Sequence, residues 1–337
     1  MSVSKSATLE PRQIKRRSEF LSSPIFSPLV TQIVIWIVFW IFVPNFGSVR
    51  TVSGIVGAAS INAVIVIGVT MLMISGEFDI SVGAILGMSA FVFADILVSG
   101  GSPVLAVVVT LLVAGSMGAI NGLLTAYTTI PSFIVTLGTR SIYRGLIWVV
   151  SGGTMIQVTD RLPIQDILNG RLDIVNNLFT HANFTTAALW AIVLGIIFQF
   201  ILTRTKFGNH VFAVGGNPGA ALTQGVNNKR VKITCFIITG LLCGLAGMLT
   251  FSQFSTAQVV TGANVELKVI AAAVIGGALL TGGFGSIVGA LLGILLIALL
   301  RTGTILLGLP SDNFEAIVGV TIVGAALLND WIRDRLI

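Results

Sequence analysis

Charged side chains are scarce in this chain of 337 residues: Asp, Glu, Lys and Arg make up 9% of it, against 55% hydrophobic residues. A soluble globular domain has about 25% charged residues, so this composition excludes a chain whose whole surface is solvated by water. The length allows about ten membrane-crossing helices of about 20 residues each. The sequence therefore predicts an all-α, polytopic membrane helical bundle.

Residues that carry chemistry are also few. Cys235 and Cys243 fall in one apolar run, which favours two small buried side chains over a disulfide or a metal site. His181 and His210 lie in different polar segments and cannot form a pair. No G-x-x-x-x-G-K-[ST] loop for a nucleotide phosphate occurs in the sequence, and neither does H-E-x-x-H or G-x-S-x-G. We therefore expect no catalytic, metal or cofactor-binding residues in this chain.

Apolar runs of about span length predict ten transmembrane helices. They lie at 28–46, 53–75, 81–99, 103–128, 131–151, 186–203, 231–252, 266–282, 285–308 and 313–329. The transmembrane domain is thus predicted at 28–329, between tails at 1–27 and 330–337. Two longer polar loops interrupt it, at about 152–185 and about 204–231. Because the number of spans is even, both ends of the chain are expected on one side.

The positive charges indicate which side that is. The two tails and the loop that ends near Lys232 together hold twelve of the nineteen Lys and Arg residues. Cytoplasmic loops are enriched in Lys and Arg, because the membrane potential and anionic lipids oppose their translocation. Both termini and the 204–231 loop are therefore predicted in the cytoplasm, and the 152–185 loop outside. This asymmetry accounts for the net charge of +6. We therefore expect the chain to contact membrane lipid and not nucleic acid.

Two stretches of the sequence resemble each other without gaps: residues 76–87 align on residues 282–293, and each joins two spans through a short turn. The match predicts an internal parallel repeat, with chance similarity between two glycine-rich helix starts as the alternative. The turn motif of the first copy, predicted on the cytoplasmic side, comprises Gly76, Glu77, Asp79, Ser81 and Gly83. Its Asp79 and Ser81 can cap the next helix, or the acidic residues can contact a partner subunit or form a gate.

Two arginines lie in the fifth predicted span. Arg140 and Arg144 are four residues apart and so share one helix face, where a charge cannot face lipid at modest cost. They either pack against carbonyls or a buried carboxylate, or they line a polar path. Together with the aromatic neighbours Phe133 and Trp148, they are the candidates for residues that line a path across the membrane.

The 204–231 loop contains the signals of a short helix. Asn217 suits the N-cap of a helix and Pro218 its first position, and Gly225 supplies its stop. A helix of about two turns is not stable alone, so this one needs another surface to pack on. We predict a docking element for another protein, with a loop that folds back without a partner as the alternative. The residues of this element are Asn217, Pro218, Ala220, Ala221, Leu222, Gln224 and Gly225.

Several motifs together resemble one family. They are Gly76–Gly83, Pro131–Thr139 with Arg144, Gly145 and Ser151–Gly153, Thr205–Gly208 with Val214–Asn217, and Val274–Gly277 with Gly282–Ser286. In this order and spacing, over nearly the whole chain after the first tail, they resemble the permease subunits of bacterial ABC importers for monosaccharides, the ribose, xylose, arabinose and galactose group. Residues 218, 219, 223, 224 and Arg140 depart from the pattern of that family.

The resemblance implies a pore in the bacterial inner membrane, formed by two permeases that are identical or paralogous. A periplasmic sugar-binding protein would deliver the substrate outside. A pair of ATPase subunits would bind inside and use the ATP, so that this chain binds no cofactor itself. The resemblance also implies that the short helix around Asn217–Val226 couples the ATPase subunits to the pore.

Three other readings remain open at this point. The same kind of importer could carry a nucleoside, a branched-chain amino acid or a furanose-like signal molecule. An ion-coupled secondary transporter would need a coupling group such as Asp95 or Glu77. A membrane enzyme would need polar side chains that converge on one site.

Overall fold

The computed structural model describes residues 26–310, together with residues 316, 319–320 and 323–324. The predicted tails lie outside these residues except for residues 26–27, and so does most of the predicted span 313–329. The described part is built of α-helices with one small two-stranded sheet. The helices are α1 Phe26–Phe42, α2 Val49–Ile74, α3 Val82–Val98, α4 Pro103–Tyr127, α5 Ser132–Ser151, α6 Pro163–Asn169, α7 Asp173–Asn176, α8 Thr186–Arg204, α9 Lys206–Gly216, α10 Pro218–Thr223, α11 Asn228–Phe254, α12 Val265–Ile275 and α13 Ile287–Leu306.

Six of these helices are long and apolar enough to cross a membrane: α2, α4, α5, α8, α11 and α13. The apolar helices α1 and α3 are shorter, with 17 residues each. The prediction of an all-α protein that crosses the membrane several times is therefore confirmed.

The predicted span 266–282 is wrong in its length. Its helix, α12, has 11 residues, which is about 16 Å at 1.5 Å per residue. The helix ends because two glycines follow it, and Gly277 adopts a φ of +89°, a left-handed conformation that stops a helix. The apolar residues up to 286 form a turn instead of two further helical turns.

The two polar loops contain more structure than their composition indicates. The 204–231 loop consists almost wholly of α9 and α10, together with the ends of α8 and α11. The 152–185 loop contains α6, α7 and the strand β1, Ile156–Gln157, which pairs antiparallel with β2, Thr256–Ala257.

Helix α2 lies at the centre of the described bundle and contacts α8, α11, α12 and α13. Helix α11 packs along α4 and α3. Glycines permit close contact between α4 and α11, because a side-chain carbon on Gly118 would lie 3.2 Å from the Cα of Gly240. Such small residues let membrane helices approach backbone to backbone.

The connections separate into two ends of the bundle. At one, which we call the α10 end, α9 and α10 lie beside the turn after α2 and the turn before α13, and the Gly283 N–H donates to the Ile74 carbonyl at 2.8 Å. At the other, the α6 end, the 152–185 loop covers the start of α2, where the Asn183 N–H donates to the Ser53 hydroxyl at 3.2 Å. The two turns and the 204–231 loop thus share one end, as the predicted topology requires.

Candidate functional site

Helix α10 has the start and stop that the sequence predicts. The Asn217 side-chain oxygen accepts from the Ala220 N–H at 3.0 Å, Pro218 occupies the first helical position, and Gly225 follows with a φ of +81°. Of its two adjacent apolar side chains, Ala221 is buried, whereas Leu222 is 64% exposed. The helix therefore rests on the bundle through one face and presents a leucine on the other.

Four glycines from three segments meet beside α10, and we call them the glycine junction: Gly76, Gly215, Gly282 and Gly283. A side-chain carbon on Gly215, in the last turn of α9, would overlap the Ile74 carbonyl oxygen and lie 2.7 Å from the Gly283 nitrogen. One on Gly282 would lie 2.8 Å from the Gly76 Cα. The end of α9 thus contacts the turn after α2 and the turn before α13 directly through the backbone.

Residues 76–81, which we call the 76–81 segment, run inside the bundle and not on its surface. Asp79 and Ser81 are fully buried, and the Asp79 carboxylate accepts from the Ser81 N–H at 2.7 Å and the Ser81 hydroxyl at 2.6 Å. The Asn121 amide, from α4, donates to both side chains, at 3.3 and 2.8 Å. The motif is thus a buried segment and not an exposed turn, and its position on the cytoplasmic side stays a prediction.

The acidic residues of the motif differ in their roles. Asp79 accepts one N–H just before α3, but Ser81 makes no side-chain hydrogen bond as a cap, so the capping interpretation holds only for Asp79. Because Asp79 is buried, it cannot contact a partner subunit directly. Glu77 is buried too and forms an ion pair with Lys232, in the first turns of α11. This pair ties the 76–81 segment to α11.

Helix α5 holds the same segment from the other side. The Ser132 hydroxyl accepts from the Phe78 N–H at 3.0 Å, and the Thr136 hydroxyl accepts from the Ile80 N–H at 3.2 Å. Both hydroxyls belong to the first two turns of α5 and are buried. Since these N–H groups lie outside any helix, the two α5 side chains provide acceptors for one buried and one partly buried backbone donor.

The two arginines of α5 pack as the first of their two predicted alternatives. Arg140 forms an ion pair with Glu266 of α12 at 2.6 Å, and the Glu266 side chain is 2% exposed. Arg144 donates to the carbonyls of Thr261 at 2.7 Å, Val259 at 3.2 Å and Gly83 at 3.2 Å. The pair therefore joins α5 to the loop before α12 and to the start of α3.

The other two candidates on α5 lie apart from this cluster. Phe133 and Trp148 are 51% and 59% exposed, on the face of α5 that no other described element covers. The Arg140 side chain reaches the same face, with 35% of its surface exposed. These three side chains therefore share the uncovered face of α5.

Sequence reasoning missed the partners of the candidate residues, namely Lys232, Glu266, Asn121, Ser132 and Thr136. Glu266 carried a signal, because it is the only acidic residue between Asp173 and Asp312. One predicted alternative for Arg140 and Arg144 was a buried carboxylate, and an acidic residue isolated within a long apolar stretch is a candidate for it. Ser132 and Thr136 fall within the Pro131–Thr139 motif, but nothing in the sequence assigned their hydroxyls a partner. Asp95, considered above as a coupling group, is exposed near the end of α3.

Known proteins resemble this chain over most of its length. Residues 51–326 match the family described as branched-chain amino acid transport system, permease component. The ribose import permease protein RbsC of Bacillus subtilis is 34% identical over 290 residues, 86% of this chain and 87% of that protein. The L-arabinose ABC transporter permease protein AraH of Azospirillum brasilense is 32% identical over 294 residues, 87% of this chain and 84% of that protein.

A third relative is named for a different cargo. The autoinducer 2 import system permease protein LsrC of Yersinia enterocolitica is 32% identical over 291 residues, 86% of this chain and 78% of that protein. No solved structure matches the chain.

Proposed function

This chain belongs to the family of transport-system permease components, and we propose that it is the transmembrane subunit of an ATP-driven importer for a monosaccharide. The observation that carries the proposal is the similarity over some 290 residues to ribose and L-arabinose permeases. In this function a periplasmic binding protein delivers the sugar, and separate ATPase subunits supply the energy. The chain itself is a multi-pass inner-membrane protein without an ATPase site.

The contact with the ATPase subunits is assigned to α10. A six-residue helix is not stable alone in water, so α10 depends on the surfaces that it contacts. Its inner face is covered through Ala221, while Leu222 remains uncovered in the isolated chain. Leu222 lies in the last turn of α10, and its exposed side chain offers apolar surface that a partner can bury.

Replacing Leu222 with aspartate should therefore separate the ATPase subunits from the permease. We expect the affinity to fall by about 30-fold, which corresponds to about 2 kcal/mol for an anchor residue. The measurement is the binding of purified ATPase subunits to the detergent-solubilised permease.

Leu178 provides the matched control, because it is 74% exposed but lies in the 152–185 loop at the α6 end. Leu178→Asp should leave the ATPase affinity unchanged. If Leu222→Asp binds the ATPase subunits as tightly as the wild type does, α10 is not the docking element.

The path for the sugar is assigned to the uncovered face of α5, between this chain and a second permease, identical or paralogous. Arg140, Phe133 and Trp148 reach this face, whereas Arg144 acts behind it by fixing α5 to the loop before α12. The partly exposed Arg140 supports the assignment, because a polar path or a second subunit can solvate a guanidinium, whereas hydrocarbon cannot.

The finer topology is part of the same proposal. Ten spans with both termini in the cytoplasm place the α10 end inside and the α6 end outside, consistent with the bias of Lys and Arg. An internal repeat is supported by a shared packing mode. Gly87 and Gly293, which the two copies align, each face a carbonyl of another segment, that of Thr261 and that of Ala272.

An uptake assay tests the cargo and the energy source together. The permease, its ATPase subunits and its binding protein are reconstituted in proteoliposomes and supplied with labelled ribose, L-arabinose, a nucleoside, leucine or autoinducer 2. ATP-dependent uptake of a pentose supports the proposal. ATP-dependent uptake of only the nucleoside, leucine or autoinducer 2 instead identifies the same kind of importer with that other cargo. Uptake driven by an ion gradient without ATPase subunits would overturn it in favour of a secondary transporter.

A further inference from the structure

We propose that the 76–81 segment transmits the movement of α10 to α5. This inference rests on the proposed function, since it assumes that ATPase subunits move α10. It adds a physical connection between the docking element and the helix assigned to the path. The connection consists of three successive contacts between neighbouring segments.

The first contact is the glycine junction. Helix α9 ends at Gly216 and α10 begins at Pro218, so a displacement of α10 reaches the end of α9 through one residue. There Gly215 lies against the Ile74 carbonyl and the Gly283 nitrogen without any intervening side chain. Backbone atoms cannot rotate away as side chains do, and interiors packed in this way transmit strain.

The second contact fixes the direction of that movement. The 76–81 segment begins two residues after Ile74, and Glu77 binds Lys232 of α11. Helix α11 packs along α3 and α4. The 76–81 segment is therefore anchored to a long helix at Glu77. A movement of the end of α9 displaces the residues next to this anchor.

The third contact passes the movement to α5. The N–H groups of Phe78 and Ile80 donate to Ser132 and Thr136, both in the first two turns of α5. The Ile80 bond is buried and the Phe78 bond is partly buried, so water is excluded as an alternative acceptor for the Ile80 N–H. When the 76–81 segment moves, α5 must follow or two backbone donors lose their acceptors.

The experiment compares variants of α5 in the full complex with its ATPase subunits. Thr136→Val removes the acceptor of Ile80, and Ser132→Ala, a smaller change, removes that of Phe78. Thr136→Ser keeps a hydroxyl. Thr139→Val is the matched control, because Thr139 is equally buried in α5 and its hydroxyl bonds only within its own helix, to the Thr136 carbonyl at 3.3 Å.

The readout is the labelling rate of a cysteine at position 141 by a membrane-impermeant maleimide, with and without ATP and vanadate. Ser141 lies on the uncovered face of α5, and the native Cys235 and Cys243 are buried. In the protein with no other substitution, trapping the complex with ATP and vanadate should change the labelling rate at least about fivefold, the size of a typical coupling between two sites. Thr136→Val and Ser132→Ala should abolish this change while the complex still hydrolyses ATP. Thr136→Ser and Thr139→Val should retain it.

The outcomes separate the two proposals. If Thr136→Val and Ser132→Ala respond to trapping as the unchanged protein does, the transmission through the 76–81 segment is wrong. It is also wrong if the unchanged protein binds its ATPase subunits and transports but shows no change at position 141. If the ATPase subunits do not bind at all, the proposed function itself fails, and this inference fails with it.

Discussion

Alanine at position 215 should prevent the chain from reaching a stable fold, whereas alanine at position 216 should be tolerated. The added carbon at Gly215 would overlap the Ile74 carbonyl oxygen and press on the Gly283 nitrogen. Both obstacles are backbone, so no rotamer change relieves them. Overpacking of this kind costs at least about 1–3 kcal/mol, and here it also disrupts the Gly283-to-Ile74 hydrogen bond.

The neighbouring glycine is the control because its surroundings differ. The nearest atom to a side-chain carbon on Gly216 is the Gly283 Cα, at 3.9 Å, which is an ordinary contact. Alanine is also preferred over glycine in a helix by up to about 1 kcal/mol. Gly215→Ala should therefore give little monodisperse protein in detergent, and Gly216→Ala at least as much as the wild type. Equal yields and equal melting temperatures for the two variants would show that the glycine junction is not tightly packed.

Neutralising Glu266 should cause the second large effect. Glu266→Gln removes the buried partner of Arg140 and the carboxylate nearest to Arg144, so two guanidinium groups lose their compensation. Removing one member of a buried pair costs roughly 3–5 kcal/mol, and we expect about 3 kcal/mol, since a third of Arg140 is exposed. The quantity to measure is the free energy of unfolding in mixed micelles with increasing SDS.

An exposed pair of the same length is the matched comparison. Arg161 and Asp166 are also separated by 2.6 Å, but their side chains are 41% and 63% exposed. Asp166→Asn should cost no more than about 1 kcal/mol. Adding Arg140→Gln to Glu266→Gln should recover part of the loss, because the uncompensated charge is then removed. A double variant that is less stable than Glu266→Gln alone would contradict the assignment of Arg140 to this pair.

The features that follow from short-range rules could be predicted from the sequence. Apolar runs located the long helices, because a buried or lipid-facing helix needs apolar residues along its whole length. Asn217, Pro218 and Gly225 located α10, because caps and stops act through the adjacent backbone.

The missed features depend on distant residues or on the path of the backbone. The run 266–282 is apolar throughout, but apolar composition does not distinguish a full span from a half-length helix followed by a buried turn. Glycine is also common inside membrane helices, so the two glycines after α12 did not by themselves indicate its end. The contact of Arg140 with Glu266 joins residues 126 positions apart, and nothing local specifies it. The buried position of Asp79 was missed because a turn between two spans is ordinarily at the surface.

The small sheet at the α6 end has a thermodynamic consequence. Strands β1 and β2 join the 152–185 loop to the chain just before the Arg144 acceptors, and Gln165 donates to the Ser255 hydroxyl beside them at 3.2 Å. Helix α5 is thus held near its start by the 76–81 segment and farther along by a segment that the 152–185 loop supports. Binding free energies between two linked sites are reciprocal. If α10 binds ATPase subunits as proposed, a protein that binds the 152–185 loop more tightly in one state of α5 changes the affinity of these subunits for ATP. ATP then changes the affinity of that protein for the loop by the same factor.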